Sequence, residues 1–541
     1  MNRLLVEKAQ KLLAAETGTV FKDPGGRISI ALAYPNHYSV GMSSLGFQGV
    51  YGMLNAFPDI VCERVFLPSD DDLATHRRTR SGLFALESKR PLSAFRVLAF
   101  SVSFENDFPN ILTMLDLAGI PRRRADRDER MPLLIMGGAC AFYNPEPLAD
   151  FFDLCFIGEA EESLAEFLDA YRASSSRREL LDAASGIRGV YLPGAYEVSY
   201  DDRLHRIERK ALGKAPEKVV KRSLSDLSLS FPGSVITTPY AEFRDMSLVE
   251  AMRGCPWSCR FCVAGRIYKP VRRKDLSSII AEVSASKTKK VGLIGPSLSD
   301  HPQAADVLSL ENIDFSITSL RAHPRSAELV RLMKRHRSVS IAPEAGTQRL
   351  RRVINKQITE EDILTTAGLI LESGIETLRL YFMVGLPTET QEDIDGILEL
   401  SRKIRGLARR GTVTLSVSTF VPKPFTPFQW HPMERLPQVK AKLAALRKGL
   451  AAEKGMRVLH DVPKYAHLQG LFSLGDRRVG SVIEEVATSG FGSLKFGTAA
   501  VDPEYYVFRT KETDEDLPWD FIDAGVGKEK LAEEYRAAVG P

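Results

Sequence analysis

Strand and helix patterns alternate along two stretches of the 541-residue chain. In the first stretch, short apolar segments rich in branched residues are separated by helical patterns such as NDFPNILTMLDLAG (106–119). Such alternation is typical of a parallel sheet covered by helices on both faces. The predicted strands are RISIALAYP (27–35), VCERVFLP (61–68), VLAFSVSF (97–104), PLLIMGGACA (132–141) and DLCFIGEA (153–160). We therefore predict a doubly wound, Rossmann-like α/β domain over residues 1–172.

The alternation returns after a polar connector. Residues 173–240 contain a predicted hairpin and a polar segment, and we interpret them as a linker. Six further predicted strands in residues 241–433 favour a partial (β/α)6 barrel of the TIM type, with its active face at the carboxyl ends of the strands. These strands are SLVEAMRG (247–254), VGLIG (291–295), FSITSLRA (315–322), VSIAPEAG (339–346), TLRLYFMVGL (377–386) and TLSVSTFVP (414–422). Residues 434–541 have mixed patterns and are predicted to form a small α+β accessory domain.

The composition excludes several classes of protein. The opening segment MNRLLVEKAQKLLAAETG mixes charges among its apolar residues, and no later apolar run reaches the ~18 residues of a membrane-spanning helix. Six cysteines in so long a chain do not indicate a disulfide framework. The net charge of +4 is too small to indicate a nucleic-acid binder. We expect a cytoplasmic protein without membrane contact.

Three of the six cysteines lie within eight residues. Cys255, Cys259 and Cys262 directly follow the first predicted barrel strand and therefore lie in a loop of the active face. A structural zinc site normally has four protein ligands, but the next cysteine or histidine is His301, in the loop of another strand. A cubane iron–sulfur cluster takes a thiolate at each of three irons and leaves the fourth iron open for a substrate. We favour such a reactive cluster over structural zinc or simple packing of buried cysteines.

The spacing C-x3-C-x2-C, with Phe261 before the last cysteine, resembles the fingerprint of the radical S-adenosylmethionine (SAM) enzymes. The resemblance implies that the three cysteines are metal ligands of a [4Fe–4S] cluster and form the catalytic centre. In that family the open iron binds the amino and carboxylate groups of SAM. One electron then breaks the sulfonium bond, giving methionine and a 5′-deoxyadenosyl radical that abstracts hydrogen. The cofactors carry the difficult chemistry, and the protein positions and shields them.

Further matches follow the later barrel strands. The loop GPSLSDHP (295–302) stands where the family holds the SAM amino group, although the acidic residue of that motif is missing. APEAGTQRLRRVINKQITEEDI (342–363) resembles the stretch that meets the ribose, and YFMVGLPTETQEDI (381–394) resembles the stretch near the adenine. The alternatives are a surface carboxylate for Glu344 and core packing for Met383. The resemblance implies SAM-binding roles for Gly295, Pro296, Ser297, Glu344, Met383, Val384 and Gly385.

The first domain resembles the cobalamin (B12)-binding domain that precedes the core in one large branch of this family. That branch commonly carries Asp-x-His-x-x-Gly, whereas the corresponding loop PNHYSVGMSSLG (35–46) has His37 at the wrong spacing to Gly41 and no Asp. A lone loop histidine is usually not a ligand. Cobalamin is therefore either bound without a protein ligand or no longer bound. If it is bound, the resemblance implies contacts with its nucleotide tail for Ser101, Ser103, Gly137 and Gly138.

Nearly the whole chain resembles a bacterial subfamily of B12-domain radical SAM proteins whose reaction is not assigned, and three hypotheses stay open. The leading one is an enzyme that modifies a small-molecule or macromolecular substrate, with cobalamin-dependent methyl transfer as the favoured subtype. The second is RNA modification of the methylthiotransferase type, which uses an additional cluster, whereas Cys62, Cys140 and Cys155 are far apart in sequence. The third is a non-catalytic iron–sulfur protein that binds or senses a ligand.

The source of the electron is a further prediction. Because no cysteines are grouped for a second cluster, we expect an external donor, flavodoxin or ferredoxin. Five cations follow the cysteines within nine residues and would attract an acidic donor or an anionic substrate. The alternative is a solvated loop. The five are Arg266, Lys269, Arg272, Arg273 and Lys274.

Overall fold

The chain folds into two compact units. The computed structural model of the protein describes residues 2–317, 320–333, 336–492 and 501–540. Unit 1 comprises residues 1–247, 472–503 and 514–525, and unit 2 comprises residues 248–471, 504–513 and 526–541. None of the described helices has both the length and the apolar character needed to cross a membrane.

Unit 1 is built on a six-stranded sheet. Its strands are β1 (Ile28–Tyr34), β2 (Ile60–Phe66), β3 (Val97–Ser101), β4 (Leu133–Gly137), β5 (Leu154–Phe156) and β6 (Val190–Tyr191). Their order is β2-β1-β3-β4-β5-β6. The first five strands are parallel, and β6 is antiparallel to β5. β1 is buried at every residue except its first, as expected for a strand covered on both faces. The predicted doubly wound fold is confirmed, and its topological switch point lies between β1 and β3.

The predicted linker packs into unit 1. It contains the expected hairpin, formed by the antiparallel strands β7 (Tyr196–Asp201) and β8 (Arg206–Ala211). It also contains β9 (Val219–Val220), which pairs with Ile522–Asp523. Gly158 has a φ of +119°, and a Cβ there would lie 2.1 Å from the carbonyl oxygen of Arg222, so this contact requires glycine. Residues 434–541 divide between the two units, and the predicted four-part division stays a prediction.

Unit 2 contains an open arc of strands and one short antiparallel pair. Its strands are β10 (Ser247–Glu250), β11 (Met252–Arg253), β12 (Arg272–Arg273), β13 (Lys290–Ile294), β14 (Asp314–Ile317), β15 (Ser338–Glu344), β16 (Thr377–Val384), β17 (Thr412–Thr419) and β18 (Met456–His460). One sheet has the order β10-β13-β14, and another has the parallel order β15-β16-β17-β18. A parallel bridge between Leu320 and Ile341 joins them. The partial barrel is confirmed, with β18 added to the six predicted strands.

Helices occupy most of the connections between strands. They are α1 (Arg3–Ala14), α2 (Tyr38–Gly41), α3 (Leu45–Ala56), α4 (Asp70–Thr79), α5 (Phe108–Ala118), α6 (Ala139–Tyr143), α7 (Ala160–Ala173), α8 (Arg177–Ala184), α9 (Ala264–Ile267), α10 (Leu276–Ala285), α11 (Ala304–Leu308), α12 (Pro324–Leu332), α13 (Gln348–Val353), α14 (Glu360–Glu372), α15 (Gln391–Leu407), α16 (Leu436–Leu450), α17 (Pro463–Leu474), α18 (Gly480–Ser489) and α19 (Lys528–Val539). Capping boxes begin α14 and α15, at Thr359 and Thr390.

The strands of unit 2 have two different faces. In β16, Leu378, Leu380, Phe382 and Val384 join the buried core that also contains residues of α14, α15 and α16. The alternate residues Arg379, Tyr381 and Met383 are only partly buried and lie on the opposite face. We call this opposite face of the strands the inner wall.

Candidate active site

The three clustered cysteines lie in residues 254–263, the cluster loop, which follows β11. The loop begins at Gly254, whose φ is +82° and where a Cβ would lie 2.4 Å from the carbonyl oxygen of Tyr268. Cys259 is 9% exposed, and Cys255 and Cys262 are half-buried. The amide of Cys262 donates to the carbonyl oxygen of Cys259 at 3.2 Å. A compact turn therefore presents the three thiols, and only glycine fits at its start.

The segment after α13 fixes the cluster loop. The amide of Arg260 donates to the carbonyl of Ile354 at 3.0 Å, and its guanidinium donates to the carbonyl of Val353 at 2.7 Å. The side-chain amide of Asn355 donates to the carbonyl of Ser258 at 3.0 Å. The loop shape therefore depends on residues about 95 positions further along the chain.

Two cations lie next to the thiols. The guanidinium of Arg321 stacks over Trp257, 3.6 Å from the ring centroid, and donates to the carbonyls of Lys356 and Gln357, both at 2.7 Å. The charge of Arg321 also acts on the Cys259 thiol. Burial raises the pKa of Cys259 to about 11, and the charge of Lys356 is the largest effect that opposes this rise. The cations thus favour the thiolate form that a metal needs.

The loop after β13 packs beside the cluster loop. The indole of Trp257 donates to Oδ2 of Asp300 at 2.6 Å, and the hydroxyl of Ser297 donates to the same oxygen at 2.5 Å. At Gly295, a Cβ would lie 2.5 Å from Cγ of Met252. Pro296 is exposed and Ser297 is buried. Asp300 is an acidic residue of this loop, three positions after Ser297.

Glu344 ends β15 in a left-handed conformation, with a φ of +67°. Its Oε1 accepts from Nζ of Lys356 at 2.9 Å. The two side chains are 13% and 9% exposed. Burial lowers the pKa of Lys356, but Glu344 and Cys259 raise it, and the net pKa lies above the usual value. Glu344 is therefore part of a mostly buried ion pair beside the cluster loop, not an isolated surface carboxylate.

The residues predicted to be near the adenine lie at the carboxyl end of β16. Met383 is on the inner wall, but Val384 is fully buried in the core on the opposite face. Its side chain therefore cannot line the same pocket as that of Met383, because successive strand residues point to opposite faces. Gly385 has a φ of +82°, and its amide donates to Oε1 of Glu389 at 3.0 Å. Phe261, in the cluster loop, is half-buried.

The donor set fits a cluster of several irons. Among the described residues, no three His, Cys, Asp or Glu side chains converge on one metal-ion position. A cubane cluster does not require such convergence, because each thiolate binds a different iron. The loop offers three thiols, which is the number that a cubane cluster with one open iron requires. Arg321 and Lys356 balance the negative charge. Cys255, Cys259 and Cys262 would hold the cluster.

The basic residues after the cluster loop are mostly buried. Arg266 donates to Glu534 of α19 at 2.7 and 3.1 Å, Arg272 donates to the carbonyls of Pro270 and Tyr268, and Lys274 pairs with Glu282. Only Lys269 and Arg273 of the five are exposed. The predicted five-cation surface is therefore wrong for Arg266, Arg272 and Lys274, which are buried and paired within the protein.

In unit 1, the residues predicted to contact cobalamin lie at the carboxyl ends of β3 and β4. Ser101 is half-buried and Ser103 is exposed. A Cβ at Gly137 would meet no atom within 4 Å. Gly138 has a φ of +95°, and a Cβ there would lie 2.6 Å from the carbonyl oxygen of Val102. An approach to this edge is therefore open beside Gly137 but closed by backbone at Gly138.

At the same edge of unit 1, two pairs of polar side chains bond to each other. The side chain of Asn36 donates to Asp107 at 2.8 Å, and the hydroxyl of Tyr143 donates to Glu105 at 2.8 Å. Burial raises the pKa of Asp107 to about 7. His37 is exposed, and its Nδ1 lies 3.4 Å from the carbonyl oxygen of Leu67.

Two protein-family models match this chain and identify its superfamily. Residues 249–401 match the radical SAM superfamily, and residues 46–193 match the N-terminal region of radical SAM proteins. The chain belongs to the radical SAM superfamily. It is a radical SAM enzyme, and a [4Fe–4S] cluster and SAM are its cofactors.

Sequence similarity to other proteins covers much of the chain. An uncharacterized protein of Methanocaldococcus jannaschii is 28% identical over 463 residues, which cover 84% of this chain and 90% of the relative. A tRNA-2-methylthio-N(6)-dimethylallyladenosine synthase of Anaplasma marginale is 24% identical over 245 residues, 39% of this chain and 51% of that enzyme. The structure of the cobalamin-dependent SAM radical enzyme OxsB, with aqua-cobalamin and SAM bound, has 13% identity and a TM-score of 0.43. That match covers 69% of this chain and 52% of the OxsB chain.

Sequence reasoning missed two charged residues of this site, Arg321 and Lys356. Both lie in stretches that had been recognised, FSITSLRA and APEAGTQRLRRVINKQITEEDI. A cation shortly after a predicted barrel strand was an available signal, because strand ends converge on the active face. No local sequence pattern indicates that these two cations act on Cys259.

Proposed function

We propose that this radical SAM enzyme holds its cluster on Cys255, Cys259 and Cys262 and uses SAM cleavage to modify a substrate. The observation that supports this assignment is the meeting of three thiols with Arg321 and Lys356 at the carboxyl ends of barrel strands. When bound, the cluster supplies the electron that splits SAM into methionine and a 5′-deoxyadenosyl radical, which abstracts a hydrogen atom.

The chain's own residues would bind and orient SAM. Lys356 occupies one carboxylate oxygen of Glu344, which leaves the other to accept a hydrogen bond from a ribose hydroxyl. Met383 offers an adaptable apolar surface on the inner wall for the adenine. The backbone of Gly295, Pro296 and Ser297 lies beside the cluster loop, where the SAM amino group is expected.

Anaerobic reconstitution of the full chain tests this proposal. We expect about four irons per chain and formation of 5′-deoxyadenosine from SAM with dithionite. Cys259→Ala should abolish cleavage, because the cluster loses a ligand. Cys155→Ala, a buried cysteine of β5 in unit 1, is the matched control and should retain it. Cleavage by Cys259→Ala would contradict the assignment, and an intact wild-type cluster without cleavage would favour a binding or sensing role.

For the reaction subtype, we propose cobalamin-dependent methyl transfer. The support is the doubly wound sheet of unit 1 with an open approach beside Gly137. Hydroxocobalamin should bind to the purified protein, and Gly137→Leu should weaken binding by filling that approach. His37→Ala should leave the cobalamin spectrum unchanged. Substitution of Gly138 is not a clean test, because any Cβ there collides with the Val102 backbone. Failure to bind micromolar cobalamin would contradict the subtype.

RNA modification of the methylthiotransferase type has weaker support. The tRNA-modifying relative aligns with 39% of this chain. Such chemistry uses an additional cluster, but Cys62, Cys140 and Cys155 belong to β2, α6 and β5, and each is buried. β2 and β5 are separated by three intervening strands. An iron content near eight per chain would reverse this preference.

A further inference from the structure

A row of polar residues crosses four strands on the inner wall of unit 2. The register pairs Ser340 of β15 with Arg379 of β16. It pairs Arg379 with Thr414 of β17, and Thr414 with Arg457 of β18. Neighbouring strands are about 4.8 Å apart, so the two arginines are about 10 Å apart at the backbone, with Thr414 between them. We call these four residues the arginine row.

The arginine row faces away from the helices. In β17, Val413 and Leu415 flank Thr414 and belong to the core on the helix side. In β18, Met456 and Val458 flank Arg457 and pack against the same core. Because alternate residues of a strand point to opposite faces, Thr414 and Arg457 lie on the inner wall with Arg379.

Neither arginine of the row has a partner among the described residues. Nε of Arg379 is inaccessible to solvent and has no hydrogen-bond acceptor there. Arg457 is exposed, and neither side chain forms an ion pair with a described residue. By contrast, Arg253 pairs with Glu250 and Arg266 pairs with Glu534 in the same unit. A buried donor without an acceptor is costly, which favours a ligand that supplies one.

We propose that the arginine row binds a carboxylate or phosphate group of the substrate. A guanidinium matches either oxyanion with two parallel hydrogen bonds, and the hydroxyls of Ser340 and Thr414 are further donors. The inference rests on the proposed function, because it assigns the inner wall to the substrate. Met383 lies on the same wall, four residues and therefore about 13 Å along β16 from Arg379. Arg379 lies near the amino end of β16, so the substrate is an anion long enough to extend from this row toward the carboxyl ends of the strands.

Calorimetric titration of the reconstituted full-length enzyme with inorganic phosphate and with malonate tests the proposal. Wild type should bind at least one probe saturably, and the preferred probe distinguishes a phosphate from a carboxylate substrate. Arg379→Gln and Arg457→Gln should each raise its Kd about tenfold, which corresponds to the loss of one charge-assisted hydrogen bond. Arg447→Gln is the matched control, because Arg447 is exposed on α16 in the same unit, and should bind as wild type.

Two outcomes would overturn the proposal. One is the absence of saturable binding of either probe to wild type at millimolar concentration, and the other is unchanged binding by both variants. Because Arg457 is exposed, Arg457→Gln keeps the test valid even if Arg379→Gln does not fold. Iron content and SAM cleavage of the wild type are separate readouts. Their absence would contradict the proposed function, whereas a failure confined to anion binding would contradict only the role of the arginine row.

Discussion

The two sheets present their polar residues differently. At the carboxyl edge of the unit 1 sheet, buried polar side chains satisfy one another, as Asn36 does with Asp107 and Tyr143 with Glu105. On the inner wall of unit 2, Arg379 and Arg457 have no described partner. The Asn36 and Tyr143 side chains are bonded without a ligand, whereas Arg379 and Arg457 leave donors for one.

The largest contrast is expected between two glycines. Gly254→Ala should abolish iron incorporation, because φ is +82° and the new Cβ would lie 2.4 Å from a carbonyl oxygen. Gly137→Ala in unit 1 should retain iron and change the free energy of unfolding by less than about 1 kcal/mol, because no atom lies within 4 Å. Iron analysis and urea denaturation measure both effects. Wild-type iron content in Gly254→Ala would mean that this turn does not position the thiols.

The Lys356–Glu344 pair should be the next most sensitive feature. Lys356→Met leaves a mostly buried carboxylate without its cation and should lower the free energy of unfolding by about 3 kcal/mol. The double variant Lys356→Met with Glu344→Gln should recover much of the loss, because neither charge remains. In unit 1, Arg172→Met removes two surface pairs, with Asp59 and Asp169, and should cost about 1 kcal/mol or less. Equal losses in urea denaturation would contradict this ranking.

Asp107 provides a pH test of the edge of unit 1. Its pKa in the folded protein is raised to about 7 from an ordinary value of 3.8, chiefly by burial. Between these pH values the folded state binds more protons, so stability should fall as pH rises from about 4 to about 7. Asp107→Asn stays neutral and can still accept from Asn36. It should therefore be more stable than wild type at pH 8, by at most about 4 kcal/mol, and equal to it at pH 4. A pH-independent difference in urea denaturation would contradict this origin.

The smallest effect concerns the electron donor. Arg273 is exposed after the cluster loop, whereas Arg272 is buried against carbonyl groups, so reversal of Arg272 would test folding and not docking. Arg273→Glu should slow SAM cleavage with reduced flavodoxin about threefold at low salt, because one surface charge contributes little to attraction. Arg447→Glu on α16 is the matched control. Cleavage with dithionite should be unchanged, and an equal loss with both reductants would exclude docking as the cause.

Several features were predictable because they depend on short stretches of sequence. The five parallel strands of unit 1 are short apolar runs bounded by turns or helices, and Cys255, Cys259 and Cys262 have a recognisable spacing. β18 was not predicted, because its sequence MRVLH has a weak pattern in which alternate residues are exposed. It is a strand because it pairs with β17 along its length.

The order of strands and helices, the thiol triplet and the glycines of the tight turns follow from local sequence. Folding was needed to show that Val384 faces the core, that Arg266, Arg272 and Lys274 are buried, and that the charges of Arg321 and Lys356 act on Cys259. It also aligned Arg379 with Arg457, which are 78 positions apart in sequence, on one face of the barrel. The physical reason is that backbone conformation follows mainly from neighbouring residues. Strand register, burial and the pairing of charges depend instead on residues that only folding brings together.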